Sequence, residues 1–303
     1  MERHGFEGRV AAITGAGRGI GRAYALLLAS RGARVVVNDL GGSMQGVGAD
    51  AGVAAAVAAE IAAAGGSAIA DENDVAAPSG AQALVDAAVD NFGRVDILIN
   101  NAGIIKWAGF PEVDQENLER HLAVHVVGSF NTARAAWPHM VEQGYGRIVM
   151  TTSSGIFGLP KNLSYATAKA GVIGLTRSLA TTSQSYGIKV NLIAPAALTR
   201  MAGPAGETDQ ADAPSPMAPD LVAPLVAFLA HEACPVNGEM YAAGAGRFQR
   251  VFIGATPGYR TADPTVESVA ANWDRINDEK GYTVPADLPD WSATFTAHLS
   301  QER

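Results

Sequence analysis

The segment that follows the first apolar run, Val10–Thr14, limits the fold most strongly. It is a turn containing Gly15, Gly17, Gly19 and Gly21, and a helical stretch begins at its end. Glycine lets the chain turn tightly after a strand and lets a phosphate approach the backbone. The helix N-terminus then offers unpaired N–H groups to an anion. A turn of this kind, placed between a strand and a helix, predicts a pyrophosphate site in an α/β domain.

The rest of the chain alternates between short β-branched runs and longer helical stretches. Most runs are continuously apolar, which is typical of strands buried on both faces. This repetition predicts an α/β fold of Rossmann type, a doubly wound parallel sheet of about seven strands with helices on both faces. The predicted strands are Val10–Thr14, Ala33–Asn38, Ser67–Ala70, Val95–Asn100, Arg147–Thr152, Lys189–Ala194 and Glu239–Ala242, and the predicted helices are Gly21–Ser30, Asp50–Ala64, Ser79–Asn91, Asn117–Gln143, Ser164–Tyr186 and Asp220–His231.

Two regions break this repetition. The first is a loop rich in Pro and Gly, Leu198–Pro219, which we expect to be functional or mobile. Its Met201 and Met217 either cover a long acyl or sterol substrate or simply anchor the loop. The second is the end of the chain. We predict one domain over residues 1–244 and a partly helical C-terminal extension over 245–303, packed on that domain or on a subunit interface. Its predicted helix is Pro264–Glu279, capped by Thr261–Asp263.

Composition and charge exclude several classes of protein. The net charge of −8 argues against nucleic acid as a partner, because phosphate binding needs a basic face. A single cysteine, Cys234, excludes an internal disulfide and a thiolate zinc site. The spacing of His121, His125 and His139 does not bring three ligands together, so we predict no metal. The absence of a leader, of a peroxisomal signal and of a long apolar run predicts a cytoplasmic protein without a membrane partner.

The second predicted strand ends at Asp39, 18 residues after Gly21. An acidic residue at about this distance accepts hydrogen bonds from the adenosine ribose of a bound dinucleotide. Its carboxylate would repel a 2′-phosphate, which predicts NAD as the cofactor. Arg18, in the phosphate turn, favours NADP instead, and we give it the smaller weight.

Tyr165 and Lys169 are four residues apart on a predicted helix and therefore share one face. A phenol with its ordinary pKa is a poor base at neutral pH, but an ammonium and an oxidised nicotinamide would both lower that pKa. A strand ends about 13 residues upstream in hydroxyl side chains, which include Thr152 and Ser153. A hydroxyl there can hold the oxygen of an alcohol substrate while Tyr165 takes its proton.

Together these features resemble the classical short-chain dehydrogenase/reductase family over about residues 5–244. The family's glycine motif matches Thr14, Gly15, Gly19 and Gly21, its Asn-Asn-Ala-Gly motif matches Asn100–Gly103, and its catalytic pair matches Tyr165 and Lys169. The resemblance implies a homodimer or homotetramer. It also implies a cofactor site made of Gly15, Gly17, Arg18, Gly19, Ile20, Gly21, Asp39, Asp74, Val75, Asn101, Ala102, Gly103, Tyr165, Lys169, Pro195 and Thr199.

The sequence departs from the family pattern at three points. The gap-free position of the catalytic serine holds Thr152, with Ser153 next to it, and we favour Ser153 as the catalytic hydroxyl. The asparagine that the family carries in its long helix is replaced by His125, which either relays a proton or packs. The family's Pro-Gly after the sixth strand is Pro195-Ala196.

A narrower resemblance concerns the D-3-hydroxyacyl-CoA dehydrogenase unit of peroxisomal multifunctional enzymes. It rests on Asn38–Gly42, on Gly146–Ser154, on His125 and on the tail pattern around Asn272-Trp273. It implies an NAD-dependent oxidoreductase whose small-molecule substrate is a 3-hydroxyacyl-CoA or a hydroxysteroid. The alternatives are an NADPH-dependent 3-oxoacyl thioester or carbonyl reductase and a catalytically silent nucleotide-binding regulator.

Overall fold

A computed structural model describes residues 4–201 and 215–300. The described residues form one sheet of eight strands in the order β3-β2-β1-β4-β5-β6-β7-β8. All the strand pairs from β3 to β7 are parallel. The strands are β1 Val10–Thr14, β2 Arg34–Asn38, β3 Ser67–Asp71, β4 Ile97–Asn100, β5 Gly146–Thr151, β6 Ile188–Pro195, β7 Met240–Gly244 and β8 Arg247–Val251.

Helices cover both faces of this sheet. Helices α1, α2 and α7 enclose one apolar core with alternate residues of the central strands, among them Ile13, Val35 and Ile99. On the opposite face α3 packs against α5, and α4 packs against α6. The helices are α1 Gly19–Ser30, α2 Gly52–Ala63, α3 Pro78–Phe92, α4 Gln115–Leu122, α5 Gly128–Gln143, α6 Leu163–Ser183, α7 Ala223–Ala230, α8 Val266–Ala271, α9 Trp273–Ile276 and α10 Leu288–Thr296.

The apolar composition of the central strands explains why they lie in the middle of the sheet. Every residue of β1, β4 and β5 is buried, which requires cover on both faces. The register pairs Thr14 with Asn38 and Asn100 with Met150. The carboxyl ends of these strands therefore meet at one edge, where ligands bind in open α/β sheets. The predicted doubly wound sheet is confirmed.

The sheet has one strand more than the seven that we predicted. Strand β8, Arg247–Val251, lies within the predicted extension and borders β7 at the end of the sheet. Its sequence, RFQRV, mixes charged and apolar residues, and four of the five are exposed. An exposed edge strand does not need the apolar run on which the prediction relied.

The long helix predicted over Asn117–Gln143 is interrupted. One turn of π-helix, Ala123–Val127, separates α4 from α5. Just after it the hydroxyl of Ser129 donates to the carbonyl of His125 (2.7 Å), and that of Thr132 donates to Gly128 (3.0 Å). A π turn widens the helix locally and often marks a functional site. Here it carries His125.

The chain divides into two compact units, Met1–Arg250 and Val251–Arg303. In the second unit the predicted helix Pro264–Glu279 is wrong: two short helices, α8 and α9, are broken at Asn272. The cap of α8 is Thr265, in a capping box with Ser268, rather than Thr261–Asp263. The division into a domain at 1–244 and an extension stays a prediction. In the described ranges, no helix has the length and apolar character needed to cross a bilayer.

Candidate active site

The glycine turn and the segment after β4 are tied together by hydrogen bonds. The Thr14 hydroxyl accepts from the backbone N–H groups of Asn101 (3.0 Å) and Ala102 (2.9 Å). The Asn101 side-chain amide donates to the carbonyls of Thr14 and Gly15, both at 3.0 Å. Gly15 has a φ of +62°, and a Cβ there would lie 2.8 Å from Ala102 Cα. Only glycine fits this crossing of two loops.

A cleft of about 810 Å³ opens at this edge of the sheet. Its floor is the glycine turn and its walls come from the ends of β2, β3 and β4. Such a volume, with bare glycine backbone at a helix N-terminus, fits the phosphates and adenosine of a dinucleotide. The predicted cofactor residues that line it are Gly15, Gly17, Arg18, Gly19, Ile20, Gly21, Asp39, Asp74, Val75, Asn101, Ala102, Gly103 and Thr199.

Asp39 stands at the end of β2 with both carboxylate oxygens engaged. It accepts from the backbone N–H groups of Gly17 (3.0 Å) and Gly41 (2.7 Å). The Arg18 guanidinium, on the same side of the cleft, donates to the carbonyl of Gly42 (3.2 Å). The acidic group therefore has a fixed orientation, while the nearby cation is held by backbone.

Asp74 and Val75 form the wall beyond β3. The Asp74 carboxylate accepts from the N–H of Ala76 (2.9 Å), which closes a turn. The side-chain amide of Asn131, on α5, donates to the carbonyls of Val75 (3.3 Å) and Ala76 (3.1 Å). Helix α5 thus fixes two residues that the family resemblance assigns to the cofactor site.

Beside this cleft, α6 and the end of β5 bring together Tyr165, Lys169 and Ser153. The buried Lys169 ammonium donates to the carbonyl of Thr151 (2.8 Å) and lies 5.5 Å from the centre of the Tyr165 ring. The Ser153 hydroxyl lies near enough to the Tyr165 phenol to lower its pKa. A phenol, a hydroxyl and an amine are therefore within reach of one another, a set suited to moving one proton.

Thr152 and Ser153 differ in where their hydroxyls point. The Thr152 hydroxyl is fully buried and donates to the carbonyl of Lys169 on α6 (2.9 Å). The Ser153 hydroxyl accepts from the N–H of Gly155 (3.0 Å) and also faces Tyr165. Thr152 therefore braces α6 against β5, and Ser153 is the hydroxyl that reaches the phenol.

Burial sets the charge state of this group in the free protein. It raises the pKa of Tyr165, and the hydrogen bond to Ser153 lowers that pKa by less. Burial also lowers the pKa of Lys169 from 10.5 to about 7. We expected the ammonium to lower the phenol pKa. Instead, desolvation is the largest cause of the pKa shift of each group, and the Lys169 charge is not among the causes for Tyr165.

His125 lies on the π turn and joins the two halves of the site. Its Nε2 contacts the carbonyl (2.9 Å) and N–H (3.2 Å) of Ile104, and its ring lies edge-on to the Tyr165 ring at 5.3 Å. A Cβ on Gly103 would lie 2.5 Å from His125 Cε1. Burial and the Lys169 charge hold the pKa of His125 well below its usual range. The imidazole is therefore neutral at physiological pH.

Several predicted site residues are not part of the lining of this cleft. Tyr165, Lys169, Ser153 and Pro195 do not line it, and the Pro195–Ala196 segment instead pairs with β7. Met201 lines the cleft, whereas residues 202–214 of the predicted Pro-rich loop lie outside the described residues. Within the described ranges, no three His, Cys, Asp or Glu side chains group in a way that could hold a metal ion.

Sequence reasoning missed another part of the cleft. Gly42, Ser43, Met44 and Gly46, from the loop after β2, and Arg120, from α4, also line it. The cluster of Gly41, Gly42, Gly46 and Gly48 was the available signal for that loop. No spacing rule links Arg120 to it, since the two segments meet only in the folded chain.

Comparison with known proteins agrees with this geometry. The family model described as short chain dehydrogenase matches residues 9–210. This chain belongs to that family. It is therefore an oxidoreductase acting on CH–OH groups, of a family that binds a nicotinamide cofactor.

Two relatives are similar in sequence to most of this chain. It is 42% identical over 291 residues to the mouse protein named peroxisomal multifunctional enzyme type 2, covering 94% of this chain but only 39% of the mouse protein. It is also 42% identical to a protein of Mycobacterium tuberculosis named as a short-chain type dehydrogenase/reductase, covering 91% of this chain and 96% of that one. The resemblance to multifunctional enzymes is thus confirmed at the level of sequence.

One similar solved structure contains bound ligands. A 7α-hydroxysteroid dehydrogenase complexed with NADH and 7-oxo glycochenodeoxycholic acid is 31% identical, with a TM-score of 0.70. The match covers 80% of this chain and 95% of that protein. The two proteins share one fold over that part of this chain.

Proposed function

We propose that this protein is an NAD-dependent dehydrogenase that oxidises a secondary alcohol to a ketone and reverses that reaction. The observation that carries the proposal is the grouping of Tyr165, Ser153 and Lys169 beside a cleft suited to a dinucleotide. The glycine turn, Asp39 and Thr199 would hold the cofactor. When bound, the nicotinamide supplies the hydride acceptor and, in its oxidised form, a positive charge.

In this proposal each residue of the group has one task. Ser153 holds the substrate oxygen by a hydrogen bond and keeps it next to Tyr165. The Tyr165 phenolate takes the alcohol proton, and in the reverse direction the phenol returns it. The pKa of Lys169 is about 7, so this side chain changes charge near neutrality. In its protonated form, Lys169 stabilises the Tyr165 phenolate. Proton transfer by a positioned side chain contributes roughly 10²–10⁴ in rate.

We assign His125 a positioning task. Its Nε2 is engaged with the backbone of Ile104, and its ring supports the Tyr165 ring from the side. Because the imidazole stays neutral, it does not add a second titrating group to the reaction. It fixes Tyr165 relative to the loop after β4, which also forms a wall of the cofactor cleft.

The preference for NAD rests on Asp39 and Arg18. The Asp39 carboxylate faces the cleft and would repel a 2′-phosphate, while the Arg18 guanidinium is engaged with Gly42. Titration of the wild-type protein with NADH and NADPH tests this directly, and we expect NADH to bind at least tenfold more tightly. In Asp39→Ala the ratio should fall. Tighter NADPH binding by the wild type would favour the reductase alternative.

For the substrate we propose a 3-hydroxyacyl-CoA or a hydroxysteroid. The solved 7α-hydroxysteroid dehydrogenase supports the steroid class, and the resemblance to the D-3-hydroxyacyl-CoA dehydrogenase unit of peroxisomal multifunctional enzymes supports the acyl-CoA class. The exposed Phe110, Phe157 and Leu159 offer apolar surface on the segments after β4 and β5. Those segments meet through the bridge between Ala108 and Asn162. A screen of cofactor reduction with 3-hydroxyacyl-CoAs of several chain lengths and with 17β-hydroxysteroids separates the two classes. Cofactor binding without turnover on any of them would favour the silent regulator.

We also propose a cytoplasmic homodimer or homotetramer. Val127, the last residue of the π turn, and Phe130, on α5, are large apolar side chains left exposed, at 43% and 46%. Light scattering on the purified protein would give the mass in solution. A monomer at micromolar concentration would contradict this part of the proposal.

A further inference from the structure

The connection between β2 and α2, residues 41–49, is an Ω loop, a compact surface loop with adjacent ends. The N–H of Asp50 donates to the carbonyl of Leu40 (2.9 Å) and closes its base. Within it, the N–H of Gly46 donates to the carbonyl of Ser43 (2.9 Å). Gly41 and Gly46 have φ near +78° and +76°, so glycine is needed to make both bends.

This Ω loop reaches across the cofactor cleft. It leaves β2 next to Asp39 and arrives at the segment after β4, where the N–H of Ile105 donates to the carbonyl of Met44 (2.8 Å). Gly46 packs closely on Ile104, since a Cβ there would lie 2.9 Å from Ile104 Cγ2. Between these two ends the loop lines the cleft. It therefore spans the opening between Asp39 and the wall formed by Ile104.

Two arginines hold the loop. Arg18, in the glycine turn, donates to the carbonyl of Gly42 (3.2 Å) near its first end. Arg120, on α4, donates to the carbonyl of Gly46 (2.9 Å) at its far end. The Glu116 carboxylate lies 3.9 Å from the Arg120 guanidinium, a longer contact than the one to Gly46. Arg120 itself lines the cleft.

We propose that Arg120 is a positioning residue that keeps the Ω loop closed across the cleft and thereby slows the release of the nicotinamide cofactor. This inference rests on the proposed function. The contact with Gly46 lies on the far side of the cleft from Asp39, so breaking it leaves the hydrogen bond from the N–H of Ile105 to Met44 as the remaining hold on that end of the loop. Arg18 and Asp39 would still hold the near end.

The first test uses the protein without cofactor. Hydrogen–deuterium exchange of the backbone N–H groups of residues 41–50 should be faster in Arg120→Ala than in the wild type. Arg134→Ala removes an exposed arginine from α5 and serves as the control for charge. If the exchange rates of this loop are equal in wild type and Arg120→Ala, Arg120 does not position the loop and the inference is overturned.

The second test measures NADH dissociation by stopped-flow displacement. We expect the rate constant to rise about three- to tenfold in Arg120→Ala, the range that the loss of one hydrogen bond of ordinary net strength produces, because the Arg120 side chain is partly exposed. Gly46→Ala, which forces a Cβ against Ile104, should raise it in the same direction. Arg120→Lys, which keeps a donor, should fall between wild type and Arg120→Ala.

The outcomes separate this inference from the proposed function. If the wild type binds NADH and reduces NAD but Arg120→Ala releases NADH at the wild-type rate, the inference is wrong and the proposed function stands. If the wild type binds no nicotinamide nucleotide, the proposed function fails and the loop has no cofactor to retain. If Arg120→Ala lowers the rate of the first turnover by the same factor by which it raises NADH dissociation, the site is disrupted in general, and the inference is also overturned.

Discussion

Replacing Lys169 by Met should stabilise the free protein, and increasingly so as the pH falls. The ammonium is 3% exposed, and its pKa is lowered by burial from 10.5 to about 7. The unfolded chain therefore binds this proton more tightly than the native protein does. Above the unfolded pKa, Lys169 is neutral in both states and its burial costs no charge-related stability. As the pH falls towards 7, the unfolded chain takes up the proton first and the native protein loses stability. Below pH 7 this loss is complete.

The magnitude follows from the size of this shift. Each unit of pKa difference corresponds to about 1.4 kcal/mol, so the penalty grows by roughly 2 kcal/mol between pH 9 and pH 7. Met has a similar shape and no charge. The carbonyl of Thr151 loses its donor in the variant, but that cost does not depend on pH. The pH dependence of the difference in unfolding free energy between Lys169→Met and the wild type therefore reports only the cost of the buried charge.

Urea unfolding of Lys169→Met and wild type at pH 7, 8 and 9 measures this difference. Lys280→Met, at an exposed position of the second unit, is the control and should leave the difference flat. A stability difference that is the same at all three pH values would refute the reasoning, because the side chain would then carry no desolvated charge. The variant should also lose turnover.

Two further changes test the packing on which the site depends. Gly103→Ala should destabilise the protein by about 1–3 kcal/mol, since the new Cβ would lie 2.5 Å from His125, and adding His125→Ala should recover part of that loss in a double-mutant cycle. Asp96→Ala should cost about 2–3 kcal/mol in urea unfolding, because the fully buried carboxylate accepts from Arg9, Arg94 and the N–H of Val10. Glu232→Ala removes only the exposed partner of Arg9 and should change stability by less than about 0.5 kcal/mol; equal costs for the two would contradict the argument from burial.

The sheet was predictable because its central strands are continuously apolar. Strands Val10–Thr14 and Ile97–Asn100 are buried on both faces. Apolar runs of this kind can be recognised in the sequence without knowing which strands lie beside them. The motifs were predictable for a related reason. The glycine turn and Asp39 follow strand ends directly, and parallel strands bring their carboxyl ends to one edge.

Features set by distant contacts were not predictable. Strand β8 is mixed in polarity, and the π turn at Ala123–Val127 differs from an α-helix only in its hydrogen bonds. The different contacts of Thr152 and Ser153 depend on which hydroxyl faces the carbonyl of Lys169. Adjacent residues of the same chemistry cannot be told apart by spacing. The contact of Arg120 with Gly46 joins segments 74 residues apart.

The phenol pKa illustrates a different limit. The spacing of Tyr165 and Lys169 correctly indicates that the two side chains are neighbours, but not how deeply they are buried. In the structure burial raises the pKa of Tyr165 and lowers that of Lys169. The balance between desolvation and charge is a property of the folded site.

The most direct test of the central claim is a comparison of Tyr165→Phe with the wild type in two measurements, NADH affinity and the rate of NAD reduction with a 3-hydroxyacyl-CoA or hydroxysteroid that the wild type oxidises. The change removes one hydroxyl and keeps the ring that His125 supports. We predict NADH affinity within about twofold of the wild type and turnover reduced at least roughly 10²-fold. Wild-type turnover in Tyr165→Phe would contradict the account, since the proton would then have another acceptor.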